Sequence, residues 1–221
     1  MRALAALIWK DLVIEARTRE LVTSMSLVAF LALVVLTLAL GGSPGLAPAA
    51  APAAVWVTVS FAATLGLARA QAIEQEGRAI EGLLATPVSR SVLYLGKCGA
   101  NLAVVLVLQL VVVAATAVLW PGGFAGHVSW LAPPLALGAV GFTAIGTLLG
   151  AMTAATRLRE VLLPILLLPI VLPVVVLSLA GMASALDGRL TELLRSLKLL
   201  AAVDIIFLML GVWLFPYVVE E

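Results

Sequence analysis

Glu74-Gln75-Glu76-Gly77-Arg78-Ala79-Ile80-Glu81-Gly82-Leu83-Leu84-Ala85-Thr86-Pro87 is a charged island set between two long apolar runs. The runs on either side decide the fold. Of 221 residues, 63% are hydrophobic and 11% charged, whereas soluble domains carry roughly 25% charged residues. This composition belongs to an integral membrane protein, and a charged island between two spans reads as a docking surface outside the bilayer.

Working outward from the island, residues 21–40 and 53–73 precede it as apolar spans, and residues 98–120, 130–155, 161–182 and 198–219 follow it. Each is long enough to cross about 30 Å of hydrocarbon, which takes about 20 helical residues. The expected fold is therefore all-α and polytopic, a single transmembrane domain over 1–221 with six spans. Ahead of the first span, Ala5, Ile8, Trp9, Leu12 and Ala16 recur at helical spacing among charged residues. This predicts an amphipathic helix over 1–20, lying among the lipid headgroups or simply solvated. Its acidic residues do not suit the n-region of a signal peptide. Residues 183–197, with Asp187, Arg189, Glu192 and Arg195, read as a short surface helix outside the membrane.

Orientation follows from the basic residues. Arg2, Lys10, Arg17, Arg19, Arg69, Arg78, Arg90, Lys97, Arg157 and Arg159 fall on one side of the spans, and Arg189, Arg195 and Lys198 on the other. The positive-inside rule puts the richer side, with both termini and the island, in the cytoplasm. Trp56, Trp120 and Trp130 then belong near the outer interface as an aromatic belt.

Little in the chain suggests catalysis. Gly96-Lys97-Cys98 lacks the upstream glycine and the following Ser or Thr of a P-loop, so ATP is not expected to bind this chain. Cys98 is a lone cysteine, read as a small residue at a helix start, and no CxxC or Cys/His cluster points to a metal. His127 is the lone histidine and supports no triad; it is a polar loop residue or, at most, a ligand for heme iron. The net charge of +1 offers no basic face for nucleic acid.

Three features of the spans remain. Gly146 and Gly150 form a GxxxG pattern, which lets helices approach closely in lipid, within the chain or with a second copy. Pro164, Pro169 and Pro173 should kink or locally break the fifth span, as a moving element or a merely bent one. Asp204 lies in the sixth span, near enough to its expected start at Lys198 to be either a functional acid or a side chain reaching the interface.

Within the island, Glu74 and Arg78 are four apart and can pair on one helix face, and Pro87 ends any helix that reaches it. A short helix laid across the ends of two spans could receive force from a soluble motor; the alternative is a solvated connection. The pattern Glu76-Gly77-Arg78-Ala79-Ile80-Glu81-Gly82-Leu83-Leu84-Ala85-Thr86-Pro87, followed by Leu93-Tyr94-Leu95-Gly96-Lys97, resembles the coupling segment of exporter-type (ABC-2-like) ABC transporter permeases. With Arg157-Leu158-Arg159-Glu160-Val161-Leu162-Leu163-Pro164, then Pro169 and Pro173, the chain resembles the heme exporter protein B (CcmB) family over nearly its whole length.

That resemblance implies a permease of bacterial cytochrome c maturation in the cytoplasmic (inner) membrane. It implies a separate CcmA-type ATPase subunit that binds the ATP, a homodimer of permeases, the partners CcmC and CcmD, and an indirect link to the heme chaperone CcmE. Heme is then a possible cargo rather than a cofactor of this chain. The tryptophan-rich heme-handling motif of CcmC has no match at Trp130-Leu131-Ala132. On this reading Glu76, Arg78 and Glu81 supply polar contacts to the ATPase, and Glu74 and Gly77 belong to the same docking surface. Leu83 and Leu84 pack into its groove, Pro87 closes the segment, and Arg157, Arg159 and Glu160 make a second contact. The rival readings are an ABC exporter permease for a lipid, polysaccharide or drug, a scaffold that moves nothing, and a secondary transporter or channel. The last needs ionisable groups at mid-membrane, and apart from Asp204 the spans have almost none.

Overall fold

The structure is a computed structural model and describes residues 2–40, 47–76, 88–120, 128–154, 156 and 159–219. Among these residues the Leu-, Val- and Ala-rich runs form seven helices: α1 (Arg2–Thr18), α2 (Glu20–Leu40), α3 (Ala47–Glu76), α4 (Arg90–Leu119), α5 (Val128–Ala154), α6 (Arg159–Leu186) and α7 (Leu190–Val219). The six from α2 to α7 are long and apolar enough to span a membrane. The protein is an all-α polytopic membrane protein.

Two helices form the centre. In α3 and in α5 72% of the most apolar stretch is buried, against 17% in α2 and 22% in α7. The cause lies in side-chain size. Small residues along α5 bring its neighbours to backbone distance, which is how helices gain packing energy where lipid removes the hydrophobic drive. Beta-carbons added at Gly146 and Gly150 would run into Leu67 and Gln71 of α3, and one at Gly138 into Trp56. The GxxxG pair thus packs within the chain, against α3. Around this pair, α5 also contacts α4, α6 and α7, and α2 packs on α3 and α4. The outer faces carry Leu27, Phe30, Leu110, Ile165 and Met209, large and exposed, as lipid-facing surfaces require.

Several boundaries differ from the sequence-based expectation. Helix α4 begins at Arg90 rather than at residue 98, so Cys98 is buried inside the helix and not at its start. Helix α6 runs through Pro164, Pro169 and Pro173 without interruption, so the expected local break does not occur. No separate helix spans 183–197. Instead α6 ends in a tight turn: Gly188 takes φ 70°, Arg189 N–H donates to Ser184 O at 2.9 Å, and Gly188 N–H to Ala185 O at 3.3 Å. This pair of bonds is a Schellman cap, which needs a left-handed residue that glycine adopts without penalty. Arg189 then pairs with Asp187 at 2.6 Å and with Glu192, and these bonds raise its pKa, Asp187 contributing most.

Helix α1 turns one face to the bundle and the other away from it. Leu7, Ile8, Asp11, Leu12 and Glu15 are half-buried, whereas Ala5, Trp9 and Ala16 are exposed. The reason is a second pair of small residues: beta-carbons at Gly96 and Gly99 of α4 would meet Leu7 and Ile8, so α1 lies in a glycine groove of α4. Arg19 joins α1 to α2 at φ 54°, a conformation costing a non-glycine residue about 1–2 kcal/mol. Glu15 offsets the cost by accepting Val22 N–H at 2.8 Å, which caps the first turn of α2.

Candidate functional site

The chain alternates direction from α2 to α7, and contacts show which termini share an end. Arg69 of α3 pairs with Glu20 at the start of α2. Gly150, near the end of α5, lies against Gln71. Ser91 Oγ, in the first turn of α4, donates to Val212 O of α7 at 3.3 Å. One end of the bundle therefore holds α1, the start of α2, the end of α3, the start of α4, the end of α5 and the last turns of α7.

This end is polar inside. Lys97 and Gln71 are buried, Asn101 Nδ2 donates to Thr147 Oγ1 at 2.9 Å, and Tyr94 Oη donates to Ala144 O at 2.9 Å. A cavity of about 300 Å³, lined among others by Asp11, Glu15, Ile73, Lys97 and Asn101, opens between α1, α3 and α4. Gly96 and Lys97, which sequence reading left beside the island, sit inside α4 with α1 against them.

Four of the sequence-predicted docking residues fall in helices at this end. Glu74 and Glu76 lie in the last turn of α3, and Arg159 and Glu160 in the first turn of α6. Gly77, Arg78, Glu81, Leu83, Leu84, Pro87 and Arg157 lie outside the described residues, as does His127. The island is thus the direct link between the last turn of α3, a helix buried on most of its surface, and the first turn of α4. Among the described residues no group of three His, Cys, Asp or Glu is placed to hold a metal.

Away from this end the structure contains two features that sequence reading misplaced. Trp56 is no interfacial belt residue: it is fully buried, and its indole N–H donates to Ser178 Oγ at 2.9 Å. Ser178 in turn donates to Pro134 O at 2.6 Å, so α3, α5 and α6 are tied by one buried relay. Trp120 is buried as well, while Trp130 is half exposed. Asp204 does not reach an interface. Helix α7 starts at Leu190, not at residue 198, which places Asp204 at its middle, buried, with neither carboxylate oxygen hydrogen-bonded among the described residues.

Compared with known families, residues 2–220 match the family model described as CcmB protein. No curated protein matches the chain.

Proposed function

Because the chain belongs to the CcmB family, the heme-exporter permease component of cytochrome c maturation, we propose that it is the subunit through which a separate ATPase drives that system. The ATPase docks on the segment around residues 77–87, with Glu76, Arg78 and Glu81 as polar contacts and Leu83 and Leu84 as the apolar ones. Arg157, Arg159 and Glu160 form a second contact. The termini and the island face the cytoplasm of a bacterial inner membrane. Two copies assemble with two ATPase subunits, alongside CcmC- and CcmD-type partners, and ATP hydrolysis promotes release of the heme-loaded chaperone outside. ATP stays on the partner, and heme is cargo of the system.

The observation that carries this reading is the position of the island between α3 and α4. Force applied there enters α3, which packs on α2, α4, α5 and α6, so a displacement of the island is passed to the whole bundle. A docked motor can shift the permease between states only if it contacts them differently. The last turn of α3 and the first of α6, which carry charged docking residues, supply the places where such contacts would change.

The test combines two measurements. The tagged protein is purified from native membranes and its co-purifying chains identified, and c-type cytochromes are heme-stained after deletion of the gene. A small ATPase in the preparation together with loss of the cytochrome bands supports the reading. An ATPase with persistent cytochromes shifts the cargo to another substrate, and absence of any ATPase removes the motor-docking role.

A further inference from the structure

The middle of the bundle holds a carboxyl group that the docking role does not use. Asp204 lies fourteen residues after Leu190 and fifteen before Val219, about 21 Å along the axis from either end of α7 at 1.5 Å per residue. A beta-carbon added at Gly141, the midpoint of α5, would collide with Asp204 Oδ1 and with Val174, near the midpoint of α6. Three helix midpoints therefore converge on one carboxyl group. The missing side chain of Gly141 provides its space.

Among the described residues nothing charged faces it. Helix α5 contains no titratable residue, and α6 carries Arg159 and Glu160 only in its first turn. On α7 itself Lys198 stands six residues earlier, with Glu192 and Arg195 earlier still. On α4, which also packs on α7, Arg90, Tyr94, Lys97 and Cys98 all lie in the first turns. Of these, Tyr94 uses its proton on Ala144 O. Asp204 is 3% exposed and both its oxygens lack a hydrogen-bond donor among the described residues. An ionised carboxylate placed so costs far more than a neutral carboxyl group.

We infer that Asp204 is a proton-binding site at the membrane centre, occupied while α7 is packed on Gly141 of α5 and Val174 of α6. Its carboxyl group is neutral in that packing. Ionisation transfers the proton to water, giving a carboxylate and a hydronium ion, and therefore requires α7 to part from α5 far enough for water to enter. Proton occupancy is thereby linked to the closed arrangement of the three helices, whatever drives them apart.

The chain has three aspartates, Asp11, Asp187 and Asp204, which makes the site directly observable. Asp11 pairs with Lys10 at 2.7 Å and Asp187 with Arg189 at 2.6 Å, so each sits beside a cation. The full-length protein, labelled with carbon-13 at the aspartate carboxyl and held in lipid at neutral pH, is measured by infrared difference spectroscopy. The expected spectrum contains an isotope-shifted band of a protonated carboxyl group, kept in Asp11→Asn and Asp187→Asn and lost in Asp204→Asn. Gly141→Ala, which puts a methyl group where Oδ1 lies, should shift that band. If Asp204→Asn fails to fold, the wild type with the other two variants still decides. Carboxylate bands alone overturn the proposal, whether or not they respond to sodium or potassium. So does a protonated band that survives in Asp204→Asn, or one that Gly141→Ala leaves unmoved.

Discussion

Trp56 of α3 donates its indole N–H to Ser178 Oγ of α6 at 2.9 Å, across 122 residues of sequence. Both side chains are fully buried, and the Ser178 hydroxyl in turn donates a hydrogen bond to Pro134 O of α5. Ser178→Ala leaves the indole N–H without its acceptor in a place water does not reach. Interhelical hydrogen bonds of this kind contribute about 0.6 kcal/mol on average and at most about 1.7 kcal/mol. A loss within that range is expected in detergent or lipid unfolding, and Trp56→Phe combined with Ser178→Ala should cost less than the two single losses added together. Strict additivity would show that the two side chains do not interact.

Tyr94 and Gly211 bring α4 and α7 into close approach. A beta-carbon at Gly211 would collide with the Tyr94 hydroxyl and ring, and Tyr94 is fixed by Ala144 O and by Phe215 at a ring distance of 5.5 Å. Gly211→Ala is therefore expected to destabilise by about 1–3 kcal/mol, the usual range for overpacking a filled core. Tyr94→Ala in the same chain should recover part of the loss, by vacating the space. A Gly211→Ala protein as stable as the parent would contradict this packing.

The Arg69–Glu20 pair predicts the opposite behaviour. Both side chains are about half exposed, at 51% and 49%, where ion pairs contribute about 0–1 kcal/mol and are screened by salt. Arg69→Ala should change the unfolding midpoint little, and less at high salt than at low salt. A large, salt-independent loss would mean that Arg69 has a buried role.

Helix α1 offers a check on its seating. Trp9 is 70% exposed while Leu7 and Ile8 enter the groove at Gly96 and Gly99, which directs the indole away from the bundle. In bilayers containing brominated lipids, fluorescence from a chain retaining only Trp9 should be quenched, as for a helix lying at the interface. Gly96→Leu, which blocks the groove, should release α1 to proteolysis near its N-terminus. Resistance equal to the parent's would place α1 elsewhere.

Much of this architecture is legible in the sequence, and the misreadings share one cause. Spans such as α2 and α6 stand out because their outward faces are as apolar as lipid, and hydropathy finds them within a few residues. Charge was treated as marking the membrane edge, which is false wherever a neighbouring helix covers it. Arg90 and Lys97 read as lying outside a span that begins at residue 98, yet they belong to the first turns of α4, where Lys97 is buried. Lys198 reads as the start of the last span, although Leu190, Leu193, Leu194 and Leu197 continue the helical period to the Schellman turn at Gly188. That shift of eight residues turned Asp204 from a mid-helix acid into one near an interface. Trp56 was misread similarly, because an indole suits an interface unless a serine on another helix accepts its proton, and no local pattern identifies Ser178.

Of the candidate site, the sequence yields the residue types and their order. It does not reveal that the helices joined by the island are the buried α3 and the α1-bearing α4. That arrangement depends on Gly96, Gly99, Gly146 and Gly150 receiving Leu7, Ile8, Leu67 and Gln71, contacts distant in sequence.

The most direct test of the account is whether the island between α3 and α4 holds the motor. Tagged parent and Glu81→Lys proteins are purified from the same membranes, and the amount of co-purifying ATPase per permease is measured together with the heme-stained c-type cytochromes. The account predicts that Glu81→Lys inserts at parental levels, loses most of the ATPase and loses the cytochromes. Full retention of both the ATPase and the cytochromes would contradict it.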